Sequence, residues 1–398
     1  MIRFSLIRSS WPMLGLCLST LPALAQTTAS APTAACGPLV QLAQVDLVPA
    51  PNDGRMLVPV TVNGAPQKLL LGTAGGLITF NQATAQALNL PLHNNSDKRV
   101  LDASGFASRR YVALKDFSVA GATVQGHTFA VTPDPKAGAD PVNDGVYDAG
   151  LQYRFDVEMD FANRKLAYFS PNHCPGHVVH WQAEVASIVP LAIVRRQEDT
   201  ARHGSIGGAA ALINSADTLA DSDYFMSLIE SAPGIAGSDL RIKVTLDGET
   251  FTANIDTALE YSTVNSDAAR ARLDVRDTSP GSAPIESLVA EDPNHKDASR
   301  KIEAVTVYGN RIFAHAFHTL AFGGVTVTNP KLMVRPDRTG AYDHDNGAVT
   351  GTHLFHQDDN VEPDISIGMD ILSKLHLYFA VPERKLYVTP ATVQAASN

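Results

Sequence analysis

Apolar residues along this chain recur mostly at alternate positions in short runs, the period of a half-buried strand rather than of a long helix. Met56-Leu-Val-Pro-Val-Thr-Val62 alternates in this way and reaches Asn63-Gly64, a pair favoured in tight hairpins. Lys68-Leu-Leu-Leu71 then resumes as a buried strand. Arg110–Leu114, His127–Val131, Phe155–Phe161 and Arg164–Tyr168 read as further strands. Helical composition is confined to two short stretches, Asn81–Leu88 and Asp223–Glu230. With 28 Gly and 24 Pro marking many turns, the pattern predicts an all-β protein.

The pattern also repeats. Val60-Thr-Val-Asn-Gly64 returns as Val244-Thr-Leu-Asp-Gly248, and Gly72-Thr73-Ala74 as Asp256-Thr257-Ala258. Asn81 returns as Asn265, and every pair is separated by the same offset, 244 − 60 = 256 − 72 = 265 − 81 = 184. A second element recurs in the same order. Phe161-Ala…Arg164-Lys-Leu166 returns as Phe379-Ala…Arg384-Lys-Leu386, with two extra turn residues. Two motif sets in one order predict a duplicated unit. The expected division is a first lobe over 38–172, a connection over 173–189, a second lobe over 190–392 and a tail over 393–398. The second lobe carries two additional stretches, Gly204–Ser238, which holds the helix expected at Asp223–Glu230, and the polar Asp277–Arg300, which reads as an exposed loop.

The first 25 residues read as a cleaved export signal: Arg3 and Arg8, the apolar run Met13–Pro22, then Ala23-Leu24-Ala25. The run is short for a bilayer span, and no later stretch is apolar enough to cross one. Leu16 stands where a lipoprotein site at Cys17 would need a small residue. A low-complexity leader over 26–37 follows, so the expected location is periplasmic or secreted. Export leaves Cys36 and Cys174, an even pair in an oxidising compartment, and a bridge between them would close a span of 174 − 36 = 138 residues. The net charge of -10 without a basic stripe points away from nucleic acid.

An apolar strand ending in Asp-Thr-Gly-Ala, with Ser or Thr shortly after, is the active-site turn of aspartic peptidases. Asn254-Ile-Asp256-Thr257-Ala258-Leu-Glu-Tyr-Ser262 resembles it, with Ala258 in the place of glycine. Asp364-Ile-Ser-Ile-Gly368-Met-Asp-Ile-Leu resembles the apolar-apolar-Gly motif that packs against that turn. The mature chain therefore resembles exported bacterial proteins of the retropepsin-like aspartic peptidase family. The resemblance implies an all-β, bilobal pepsin/retropepsin-like fold with a peptide or unfolded protein segment bound between the lobes. It also implies that Thr73 and Thr257 hydrogen-bond across the interface.

The catalytic role carries over to Asp256 alone, because its column in the first copy holds Gly72. Enzymes of this family use two carboxylates sharing one proton, so half of the pair is missing. Three readings remain open. In one the cleft serves binding with its chemistry lost; in another two chains pair their Asp256 residues in a homodimer; in the third Asp148, which sits where the first copy's glycine is expected, supplies the second carboxylate. Other chemistry has little to rest on. Asp343-His-Asp345 with His353, His356, Asp358 and Asp359 matches no metal spacing, there is no Gly-x-Ser-x-Gly elbow, and Gly204–Gly208 lacks a phosphate-loop Lys. No cofactor or metal is expected.

Overall fold

The computed structural model describes residues 36–51, 54–74, 78–94, 100–101, 107–108, 110–132, 144–148, 155–183, 186–195, 238–285, 306–307, 310–336 and 363–392. The export segment, residues 26–35 of the leader, the helix expected at 223–230, the His-Asp stretch 343–359 and the tail lie outside them. The described residues from Gly37 onward fall in a single unit.

Each copy builds a ten-stranded sheet along the same path. In the first the strands run Ala122–Gln125, Asp116–Val119, Met56–Val62, Ala65–Gly72, Gly145–Asp148, Thr79–Asn81, Thr128–Thr132, Arg110–Ala113 and Leu92–Asn94. In the second they run Val325–Thr328, Thr319–Phe322, Ser238–Leu246, Glu249–Ile255, Ile365–Ile367, Thr263–Asn265, Lys331–Arg335, Phe313–Ala316 and Ser282–Pro284. A tenth strand, Val48–Pro49 or Ala192–Arg195, pairs beside the third of each path.

Local chemistry explains why both halves fold alike. Asn63-Gly64 and Asp247-Gly248 take φ of +47°/+83° and +48°/+92°, the left-handed pair of a tight hairpin that Asn, Asp and Gly tolerate best. Asn63 Oδ1 accepts the N–H groups of Lys115 and Asp116 at 2.8 and 3.0 Å. Asp247 Oδ1 accepts those of His318 and Thr319, both at 2.8 Å. One turn side chain in each copy therefore also anchors the neighbouring strand.

A third sheet of six strands is shared between the copies: Gln41–Asp46, Lys165–Phe169, Asp156–Asp160, Leu375–Ala380, Lys385–Pro390 and Ser187–Pro190. The two Phe-Ala…Arg-Lys-Leu hairpins form its centre, with Val157 opposite Phe379 and Met159 opposite Leu377. Strand alternation sends Val157, Met159, Leu377, Phe379, Leu386 and Val388 into the main core. Ser187–Pro190, which begins inside the expected connection, is an edge strand of this sheet, and Ser282–Pro284 is a strand inside the first part of a stretch expected to be loop.

The opposite face carries Asp156, Glu158, His376 and Tyr378, all buried beneath the connecting segment. Trp181 donates to Thr389 Oγ1 at 3.0 Å and stacks on His376 with centroids 3.9 Å apart. Glu158 bonds both His376 and His180, at 2.7 and 3.0 Å. His173 Nε2 meets Asp156 Oδ2 at 2.6 Å, and Tyr378 donates to the same oxygen at 3.2 Å. Burial pushes the Asp156 carboxyl up to about 6 against the opposing pull of these bonds. For His173 burial acts downward, but the bonds to Asp156 and to the Cys174 carbonyl carry it above its ordinary value. Cys36 and Cys174 are both disulfide-bonded, and Cys174 N–H donates to Gly37 O at 3.0 Å.

Candidate active site

The strand Glu249–Ile255 delivers Asp256 to the start of a turn, alongside the parallel strand Ile365–Ile367. Asp256 N–H donates to Ile367 O at 2.9 Å, and its Oδ1 accepts Ala258 N–H at 3.1 Å. Asp256 as a residue is half-buried. Upstream, Asp364 Oδ2 accepts both the N–H and the Oγ1–H of Thr252, at 2.9 and 2.8 Å. The first copy repeats this anchor, since Asp144 Oδ2 accepts Lys68 N–H at 2.8 Å. Asp144 and Asp364 are equivalent positions that sequence reading assigned no role.

Beyond Asp256 the turn is clamped by the segment 368–370. Met369 N–H donates to Leu259 O at 2.9 Å, and Asp370 N–H to Glu260 O at 3.0 Å. Asp370 Oδ1 accepts the N–H of Ser262 at 2.9 Å and its hydroxyl at 2.7 Å, while Ser262 Oγ accepts Gly368 N–H at 2.9 Å. Burial pushes the Asp370 carboxyl up to about 6, with the Ser262 bonds and Lys374 acting the other way. Gly368 has to be glycine here, because a Cβ would stand 2.8 and 2.9 Å from the Tyr261 carbonyl atoms and 3.0 Å from Leu259 O.

Two threonines join the copies. Thr73 Oγ1 donates to Ile255 O at 2.6 Å and accepts Thr257 N–H at 3.1 Å. Thr257 Oγ1 donates to Leu71 O at 2.8 Å. Both threonines are buried, and the backbone groups they engage belong to the opposite copy. Neither Ala74 nor Ala258 has positive φ, so alanine is free of backbone strain at both positions. The Ala258 methyl packs with the apolar group of Ala50, Leu57 and Leu70 in the first copy, and Arg55 Nη1 donates to Ala258 O at 3.3 Å.

Gly72 closes the first copy's strand in the register that Asp256 holds in the second. A Cβ built there would meet Val146 Cγ1 at 3.0 Å, Tyr147 O at 3.8 Å and Ala258 Cβ at 4.0 Å. The one close neighbour is the end of a side chain, so the position is open to a larger residue. Asp148 is the parallel strand partner of Gly72 and is buried. In the repeat it occupies the place that Gly368 holds in the second copy. Burial pushes the Tyr147 hydroxyl up to about 12, offset by its 3.0 Å bond with Tyr168, and the Asp148 charge adds to the rise.

Among the described residues no group of three or more His, Cys, Asp or Glu could hold a metal ion. No described helix is long and apolar enough to cross a membrane.

Residues 58–151 match a protein-family model described as aspartyl protease. The match falls on the first copy, the one without the aspartate; the second is interrupted by longer additional stretches between its strands. A comparison of the sequence with curated proteins finds no match. Among solved structures, an aspartic proteinase from Irpex lacteus aligns over 89% of this chain and 99% of its own, at 11% identity and a TM-score of 0.38.

Proposed function

We propose that this chain is an exported aspartic-peptidase-like protein that holds a peptide or unfolded protein segment between its two copies and lacks the carboxylate pair needed to hydrolyse it efficiently. The observation that carries this reading is Gly72 standing in the column of Asp256 while the Thr73–Thr257 connection on either side is kept. Peptide hydrolysis by this chemistry needs one ionised carboxylate to take a proton from water and one protonated carboxyl to polarise the carbonyl. Asp256 can fill one of these roles at a time. The paired half-cystine state of Cys36 and Cys174 supports a periplasmic or secreted location after signal cleavage.

The alternative is an active endopeptidase that finds its second carboxylate elsewhere. A homodimer pairing two Asp256 residues would have to break the bonds from Thr73 to Ile255 and from Thr257 to Leu71. The Asp148 route needs a carboxylate from the buried strand beside Gly72 to meet that of Asp256. The dimer route requires rearrangement of buried groups, which favours the binding reading.

The test is incubation of a denatured, mixed-sequence peptide pool across pH 3 to 7 with wild type and Asp256→Asn, followed by mass spectrometry of products and of peptides retained on immobilised protein. Retention without Asp256-dependent cleavage is the expected result. Cleavage abolished by Asp256→Asn would establish the active alternative, and neither cleavage nor retention would refute peptide binding.

A further inference from the structure

The bonds around the Asp256 turn converge on one atom. Asp370 Oδ1 takes both the N–H and the hydroxyl of Ser262, and Ser262 Oγ in turn takes Gly368 N–H. With Met369 N–H on Leu259 O and Asp370 N–H on Glu260 O, residues 368–370 and 259–262 form a closed ring of hydrogen bonds behind Asp256. Oδ2 makes none of the bonds to Ser262. We propose that Asp370 is a positioning residue for Asp256, holding its turn through a single carboxylate oxygen so that the turn keeps its shape whether or not Asp370 carries a proton.

The internal repeat supplies an independent observation. The two offsets, 184 for the turn and 364 − 144 = 220 for the following strand, place Ile78 opposite Ser262 and Gly150 opposite Asp370. The first copy has therefore lost all three polar members together, with Gly72, Ile78 and Gly150 standing for Asp256, Ser262 and Asp370. A clamp kept for folding alone would have reason to persist in both copies. In the sequence its polar side chains occur together only in the copy that holds the carboxylate, which ties Asp370 to Asp256 and not to the sheet.

Protonation is the condition the device has to survive. Burial favours the neutral carboxyl, and an Asp370 proton on Oδ2 leaves Oδ1 free to accept from Ser262. The charge acting on it is that of Lys374, beyond its own short helix, and Ile371 N–H also bonds the carboxyl. Asparagine reproduces the neutral form, with one accepting oxygen and a donor in place of the protonated oxygen.

This inference rests on reading Asp256 as the functional carboxylate, but its test needs no activity. Amide exchange at Ser262 and Gly368, and the titration of the Asp256 carboxyl carbon by NMR, are measured in wild type, Asp370→Asn, Asp370→Ala and Ser262→Ala at pH 4.5 and 7.5. Wild type and Asp370→Asn should protect both amides equally at both pH values. Asp370→Ala should expose both by about tenfold or more, the scale of one lost hydrogen bond, and displace the Asp256 titration. Asp370→Asn should raise Tm more at pH 7.5, where it removes a buried charge, than at pH 4.5. Unaltered exchange and Asp256 titration in Asp370→Ala would overturn the proposal. Should that variant fail to fold, unaltered exchange at Gly368 in Ser262→Ala would overturn it equally. Failure of peptide retention leaves these readouts untouched and refutes only the functional reading.

Discussion

Replacing Thr73 by valine isolates the connection between the copies, because valine keeps the shape and removes only the hydroxyl. That oxygen serves two buried backbone groups of the second copy, Ile255 O at 2.6 Å and Thr257 N–H at 3.1 Å. Neither has room for water: Ile255 is 5% exposed and Thr257 1%. Leaving a buried polar group unpaired costs about 1–3 kcal/mol, so losing both partners should cost about 2–5 kcal/mol. Thr257→Val orphans Leu71 O alone and should cost about 1–3 kcal/mol. Urea unfolding measures both, and the dependence on urea should keep its slope, since neither change alters the surface exposed on unfolding. Thr73→Ser, which restores the hydroxyl, should recover most of the loss. A Thr73→Val penalty under about 0.5 kcal/mol at unchanged slope, within the range of ordinary surface substitutions, would refute the reasoning.

Three further outcomes follow from the same structure. Gly368→Ala should cost about 1–3 kcal/mol or more, because its Cβ would meet the Tyr261 carbonyl carbon at 2.8 Å and backbone cannot step aside as a side chain can; an unchanged urea midpoint would contradict the packing described. Asp156 is raised to about 6 in the folded chain against about 3.9 unfolded, so the folded state binds this proton more tightly and gains up to about 3 kcal/mol as pH falls from 7 to 4. His173, also raised, adds stability that is complete below its unfolded value and lost as pH rises, whereas His315, lowered by burial, opposes both. Calorimetry should therefore show a smaller acid gain in Tm for Asp156→Asn than for wild type, and an equal gain would remove Asp156 from the account. Replacing Cys36 and Cys174 by serine should cost up to about 5 kcal/mol, the loop-closure value for a span of 174 − 36 = 138 residues, as read from the urea midpoint.

The strands, the two tight hairpins and the column shared by Gly72 and Asp256 were legible because each is written in local sequence. Asn63-Gly64 and Asp247-Gly248 announce their turns, and a constant offset of 184 carries the comparison to Asp256 without any tertiary information. The Phe-Ala…Arg-Lys-Leu recurrence foretold a repeated hairpin, but not that the two hairpins pair with each other as the centre of a shared sheet. What stayed hidden depends on partners distant in sequence. Ser262 and Asp370 are 108 residues apart, and only the fold brings a hydroxyl and a carboxylate together there. The layer of Asp156, Glu158, His173, His180 and His376 reads as ordinary polar residues within strands and a connection until that connection is seen lying over the sheet. Ser187–Pro190 is short, ends in proline and lies at an edge, so its pairing with Lys385–Pro390 leaves little mark on local pattern.

The measurement that tests the central claim most directly is peptide cleavage by Gly72→Asp compared with wild type and with Gly72→Asp/Asp256→Asn, on one peptide pool across pH 3 to 7. A Cβ at this position asks only that Val146 Cγ1, 3.0 Å away, move by a few tenths of an ångström. The account predicts acid-dependent cleavage in Gly72→Asp that is absent from wild type and abolished in the double variant. Wild-type cleavage equal to that of Gly72→Asp, and lost in Asp256→Asn, would contradict it.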